Sequence, residues 1–130
     1  MYRPPPLRGR PVLADKKVLL IDRGQATREA RAAVLRSRGV EVYEAEEISA
    51  ARFLWQPHVY DLVMLDVRRY SPAEVLEFYE QIRAADPRQP TVFLVGAPVY
   101  LSRSWPGEVA SDDTSRGQWG ETVKRFLAAA

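Results

Sequence analysis

The segment YDLVMLDVRRYSP, residues 60–72, decides the fold. Four apolar side chains, 62–65, lead directly into the carboxylate of Asp66. A short uninterrupted apolar run is typical of a strand buried on both faces of a parallel sheet. A helix is predicted over 71–87, because Ser71 can cap it, Pro72 suits its first position and Glu74 completes a capping box. The segment therefore predicts a buried strand that delivers one charge to its carboxyl end.

The rest of the chain alternates between strand-like and helix-like segments. Further strands are predicted over 16–22, 40–47, 91–97 and 107–111, and further helices over 25–39, 49–56 and 118–129. Such alternation requires a parallel sheet, because parallel strands need crossover connections. The predicted fold class is α/β, a flavodoxin-like doubly wound five-stranded parallel sheet with helices on both faces. The segment between the fourth and fifth strands is rich in helix breakers, so the fourth helix should be short or irregular.

Two carboxylates are expected to meet at one edge of this sheet. Asp22 and Asp66 each end an apolar strand. In doubly wound sheets, functional groups collect at the carboxyl ends of the strands. The sequence therefore predicts an acidic pocket made of these two residues.

Composition and charge limit the possible functions. The 130 residues fit one domain, predicted over 15–130 after a disordered Pro/Arg-rich tail over 1–14. There is no cysteine and no apolar run of the roughly 20 residues that span a bilayer, so we expect a cytoplasmic protein that does not enter membranes. Beyond residue 17 the chain carries 14 basic and 16 acidic residues. This slightly acidic body argues against direct binding to nucleic acid.

The motifs VLLID (18–22) and YDLVMLD (60–66), with the proline-started helix after them, resemble the receiver domain of bacterial response regulators. The resemblance covers residues 16–130. It implies that Asp66 accepts a phosphoryl group from a phosphohistidine of a partner kinase. It also implies a Mg²⁺ site formed by Asp22, Asp66 and the backbone carbonyl of Arg68, because Mg²⁺ prefers oxygen ligands.

Three positions depart from the family pattern. Arg23 replaces a second metal-binding acid, and because a guanidinium stays protonated we expect it to pair with Asp22 or Asp66 and block the pocket. Gly96 stands where the family has a threonine or serine that senses the phosphoryl group. Ser111 stands where a lysine grips the phosphate. Metal binding at this site is therefore expected to be weak or absent.

The sequence leaves several functions open. The favoured hypothesis is an atypical receiver, not an enzyme, that acts mainly as a phosphorylation-independent protein-interaction module and requires no cofactor. Its partner would be a histidine kinase, an output domain or another signalling protein, and a homodimer is also possible.

The alternative is a working phosphorelay acceptor phosphorylated on Asp66, with Mg²⁺ as its cofactor. Asp66 could equally be a strand-end residue that caps its loop or pairs with Arg23, Arg68 or Arg69. A small enzyme or nucleotide-binding domain has little support, since the turn DRGQAT (22–27) is not a phosphate-binding loop.

Overall fold

The computed structural model describes residues 15–95 and 108–111 of the chain. Its strands are β1 (Lys17–Ile21), β2 (Glu41–Ala45), β3 (Leu62–Asp66), β4 (Thr91–Val95) and β5 (Glu108–Ser111), and its helices are α1 (Gln25–Ser37), α2 (Ile48–Leu54) and α3 (Pro72–Ala85). None of the helices in these ranges is long and apolar enough to cross a membrane. The predicted tail over 1–14, the irregular fourth helix, Gly96 and the closing helix over 118–129 lie outside the described residues.

The five strands form one parallel sheet in the order β2-β1-β3-β4-β5. This is the doubly wound order predicted from the sequence, so the fold class is confirmed. Ile21 of β1 pairs with Leu65 of β3, which brings the carboxyl ends of the two central strands side by side. Val95 pairs with Ser111, so β5 ends at the same edge of the sheet.

The sheet separates two apolar layers. One contains alternate residues of the central strands packed with Ala32 and Leu35 of α1. The other contains the intervening strand residues packed with α2 and α3, through side chains such as Ala51 and Phe78. Because successive side chains of a strand face opposite sides, a strand covered on both faces must be apolar without alternation. The uninterrupted apolar runs that dominate the sequence are explained by this burial.

Two helix starts differ in how their amide groups are satisfied. The capping box predicted for α3 is present, with Ser71 Oγ accepting from the Glu74 amide and the Glu74 carboxylate accepting from the Ser71 amide. The helix predicted over 49–56 begins at Ile48 instead: its N-cap is Glu47, and the Ser49 hydroxyl donates to the Glu47 carboxylate at 2.6 Å rather than capping the helix. The first amide of α2, from Ile48, instead donates to the Tyr70 hydroxyl at 3.0 Å.

Candidate functional site: a buried ion cluster at the carboxyl edge

Asp22 and Asp66 lie together at the carboxyl edge of the sheet. Asp22 directly follows β1 and Asp66 ends β3, the strand beside it. The two residues are only 1% and 4% exposed. Burying an ionised carboxylate is costly unless a cation or several hydrogen bonds compensate the charge. The partners of these two groups therefore determine what the site can do.

The cation between the two carboxylates is Arg31 of α1. One guanidinium nitrogen, Nη1, donates to Oδ2 of Asp22 at 2.8 Å and to Oδ2 of Asp66 at 2.6 Å. Arg31 is 3% exposed, so this bridge lies in the protein interior. Its neighbours on the inward face of the helix, Ala32 and Leu35, are also buried. Helix packing therefore fixes where the positive charge sits.

Arg68 covers Asp66 from the solvent side. Its Nε donates to both carboxylate oxygens at 3.0 and 2.9 Å, and its Nη2 donates to Oδ2 at 2.6 Å. Its backbone amide adds a further bond to Oδ1 at 3.0 Å. Asp66 therefore caps its own loop and pairs with two arginines, one buried and one with 39% of its side chain exposed.

Asp22 is held by the start of α1. Its Oδ1 accepts from the amide of Gly24 at 2.8 Å, and its Oδ2 accepts from the Thr27 hydroxyl at 2.7 Å. Gly24 is the N-cap of α1, and a Cβ there would lie 2.6 Å from Thr27 Oγ1. Only glycine permits this close approach without a shift. All four carboxylate oxygens of Asp22 and Asp66 thus accept hydrogen bonds from the protein itself.

The arginines determine the charge of Asp66. Burial alone would raise the pKa of this carboxyl, but the hydrogen bonds from Arg68 and Arg31 outweigh burial and hold the pKa below its ordinary value of 3.8. Asp66 is therefore ionised at neutral pH, and its negative charge is paired with the two arginines of the cluster.

The residue expected to block the pocket, Arg23, lies elsewhere. Its guanidinium stacks over the Tyr70 ring, 4.1 Å from the centroid, and its Nη1 donates to the backbone oxygen of Arg69 at 3.1 Å. The structure thus corrects the prediction that Arg23 pairs with Asp22 or Asp66. Asp22 is buried whereas Arg23 is exposed, so adjacency in sequence does not bring the guanidinium to the carboxylates.

Arg31 escaped the sequence analysis, although a signal was present. The alanine, leucine and arginine content of residues 25–39 predicts a helix but does not distinguish one of its arginines from another. Arg31 nevertheless falls four residues before Leu35, on the stripe that faces the core. A charged residue on an apolar stripe requires a buried partner, and the two strand-end acids were the available ones.

The donor set does not fit a divalent cation. The predicted ligands were the two carboxylates and the Arg68 carbonyl, but every carboxylate oxygen already accepts from the protein, and a guanidinium nitrogen bridges the two acids. Mg²⁺ requires free oxygen ligands in a near-octahedral arrangement. Within residues 15–95 and 108–111, no group of three or more acidic, histidine or cysteine side chains could hold a metal ion. The carboxyl edge therefore holds an ion cluster rather than a prepared Mg²⁺ site.

A cavity of about 470 Å³ adjoins the cluster. It is lined by Asp22, Asp66, Arg68, Arg69 and the first residues of α1, 24–27. Ser111, predicted at the lysine position, does end β5 at this edge of the sheet.

Known structures resemble this chain closely in fold. The response regulator TrrA of Thermotoga maritima, solved with Mg²⁺ and BeF, is 27% identical with a TM-score of 0.69, covering 85% of this chain and 98% of that one. A chain of the complex between the histidine kinase ThkA and TrrA is also 27% identical, with a TM-score of 0.71, covering 86% of this chain and 98% of that one. The HemR receiver domain of Leptospira biflexa, in its non-phosphorylated form, is 21% identical with a TM-score of 0.74, covering 87% of this chain and 94% of that one.

Comparisons based on sequence alone find no match. No protein-family model matches the chain, and no curated protein matches it. The structural similarity supports a role in response-regulator signal transduction, and it extends over most of the chain. This chain has the fold of a response-regulator receiver domain.

Proposed function

We propose that this protein is an atypical receiver that binds its protein partner without being phosphorylated. The observation that carries the proposal is the Arg31 guanidinium, buried between the two carboxylates that a phosphorylatable receiver would present to Mg²⁺ and a phosphoryl group. A receiver surface built around such a pocket has the same shape whether or not a phosphodonor is available.

The chemistry of Asp66 supports this proposal. To act as a nucleophile, Asp66 would have to free one oxygen from the hydrogen bonds of Arg31 or Arg68, which weakens the buried ion pair between Arg31 and Asp66 or uncovers the carboxylate on its solvent side. Breaking one side of a buried ion pair costs several kcal/mol, about 3–5. The glycine and serine at positions 96 and 111 remove two further contacts that the family resemblance leads one to expect.

The direct test is chemical modification. Wild-type protein is incubated with Mg²⁺ and either acetyl phosphate or beryllofluoride, and intact mass and ¹H–¹⁵N NMR spectra are recorded. We expect no mass increase and no shift of the amide resonances beside Asp66. Asp66→Asn serves as the matched control for modification elsewhere. Stoichiometric modification at Asp66 with a conformational response would reject the proposal.

A partner test complements the chemical one. TrrA has been solved in a complex with a histidine kinase, and we propose a signalling protein as the partner of this chain as well. Partner candidates are captured with wild-type protein and with Asp66→Asn that has been shown to fold. Equal affinities are expected, because the interaction does not require a phosphoryl group. Binding that appears only after phosphodonor treatment would contradict this expectation.

One observation favours the alternative, a phosphorelay acceptor. Asp66 is ionised, as a nucleophile must be, and a cavity adjoins it. Under this alternative, the wild type accepts radiolabel from a cognate histidine kinase and Asp66→Asn does not. Failure of the wild type to accept label removes this alternative.

A further inference from the structure

We infer that Arg31 is a resident replacement for the divalent cation, and that this one side chain conceals a cation site formed by Asp22 and Asp66. The inference deepens the proposed function and rests on it for its role in signalling. It concerns the pocket itself and can be tested without partner or phosphodonor.

The position of a single atom carries the inference. Nη1 of Arg31 donates to one oxygen of each carboxylate, so a single positive group touches both acids. A surface ion pair forms between two residues, whereas this nitrogen bridges residues from two neighbouring strands. The same nitrogen contacts two buried negative charges at once, as a bound cation would, and Arg68 supplies the second positive charge of the cluster.

Helix packing keeps the positive group in place. Arg31 lies between Arg28, whose Nη1 donates to the backbone oxygen of Asp22 at 2.9 Å, and the core residue Leu35. The helix begins at Gly24, whose amide also bonds Asp22. Helix α1 is therefore joined to the strand end by backbone and side-chain contacts, which hold the backbone of Arg31 beside the two acids.

Removing the guanidinium should expose the cation site. Arg31→Met replaces the apolar stem of the arginine side chain with one of similar length, but it leaves two buried carboxylates without their shared cation. We expect wild-type protein to show no Mn²⁺ binding at millimolar metal by electron paramagnetic resonance and no change of melting temperature with Mg²⁺. Arg31→Met should melt lower by more than about 5 °C, bind Mn²⁺, and recover part of the loss in Mg²⁺.

Two controls separate this role from general damage. Arg36→Met removes an exposed arginine of the same helix that pairs with Glu44 at 3.0 Å, and it should bind no metal and melt nearly as the wild type. Arg31→Lys keeps a positive charge but has one side-chain nitrogen in place of three, so it should melt between wild type and Arg31→Met and bind no metal. It tests the inference even where Arg31→Met fails to fold.

The outcomes are distinct from those of the modification experiment. Mn²⁺ binding by the wild type at the two acids, without phosphorylation, would overturn the inference and leave the proposed function standing. A folded Arg31→Met that binds no Mn²⁺ would also overturn it, as would Mn²⁺ binding by Arg31→Lys. Phosphorylation of wild-type Asp66 would instead reject the proposed function.

Discussion

Each edge of the sheet contains a buried polar network, and the two networks differ in charge. The carboxyl edge buries two carboxylates and a guanidinium in an ion cluster. The amino edge buries a neutral amide: Gln89 is 4% exposed, donates to the backbone oxygens of Tyr60 and Pro90 at 3.1 Å, and accepts from the indole of Trp55 at 2.8 Å. Asp86, 6% exposed, is also buried at the amino edge, so the contrast lies between the ion cluster and the neutral network around Gln89.

The two networks should differ in how their contribution to stability depends on pH and salt. A neutral network keeps its energy across pH and salt because none of its members changes protonation. An ion cluster depends on the charge of each member, and it competes directly with any cation or anion that enters. The ion cluster should therefore respond to pH and salt more strongly than the network around Gln89, and the following substitutions test that contrast.

The largest effect is expected from Arg31→Met. Removing the shared cation leaves Asp22 and Asp66 buried side by side, and loss of one partner from a buried ion pair costs about 3–5 kcal/mol. Urea denaturation at neutral pH measures the free energy of unfolding. Arg36→Met, on the exposed side of α1, should cost about 0–1 kcal/mol. Equal decreases in the free energy of unfolding for the two variants would show that the buried cluster stabilises the fold no more than an exposed ion pair does.

Asp66→Asn should cost less and change the pH profile. At neutral pH it weakens hydrogen bonds to charged groups, worth about 1.5–3 kcal/mol. Because the folded-state pKa of Asp66 is lowered, its stabilising contribution is fully present above the ordinary pKa of 3.8 and is lost as the pH falls through the lower folded-state value.

The difference in unfolding free energy between wild type and Asp66→Asn should therefore narrow below about pH 4. Denaturation curves recorded at steps from neutral pH downward measure it. A difference that stays constant into the acid range would contradict the lowered pKa.

At the amino edge, Gln89→Leu should cost about 1–3 kcal/mol, because the Trp55 indole loses its acceptor and two buried carbonyls lose a donor. In contrast to Asp66→Asn, this loss should be the same at high and low salt and across the acid range. Parallel denaturation series of the two variants provide the comparison. If the loss of unfolding free energy in Gln89→Leu depended strongly on pH, the proposed contrast between the ion cluster and the neutral network would be wrong.

The smallest effect is expected from Arg23→Met, which removes the stack on Tyr70. Exposed cation–π contacts contribute about 0.5–1 kcal/mol. Because Tyr70 accepts from the Ile48 amide, this amide should exchange with deuterium faster in the variant. Arg69→Met, at a neighbouring exposed position, is the control and should leave the exchange rate unchanged.

The sheet was predictable because its signals are local. Uninterrupted apolar runs identify β1, β3 and β4, and the capping box at Ser71 identifies the start of α3. The order of elements then determines the strand order through the requirement for crossover connections. The start of α2 was predicted at residue 49, one residue late, and the acceptor of its first amide, the Tyr70 hydroxyl, lies 22 residues away, where no local pattern indicates it.

The site was predictable only in part, since it depends on side-chain direction. Asp22 and Asp66 were placed together because both end apolar strands, and the structure brings them to one edge. Arg23 was expected as the cation because it replaces a metal-binding acid of the family that the sequence resembles, whereas the guanidinium that reaches the acids comes from a helix packed on the sheet. Helical spacing identifies the inward face, but the partner met there depends on the tertiary fold.

A positive group that belongs to the polypeptide has no free concentration and no dissociation constant. Arg31 is made with the chain, so its occupancy at the strand ends is complete from the moment α1 packs. Chelators cannot strip it, and fluctuations in free magnesium inside a cell cannot titrate it. The positive charge of this pocket is encoded in the sequence, so its presence does not depend on the concentration of any metal ion.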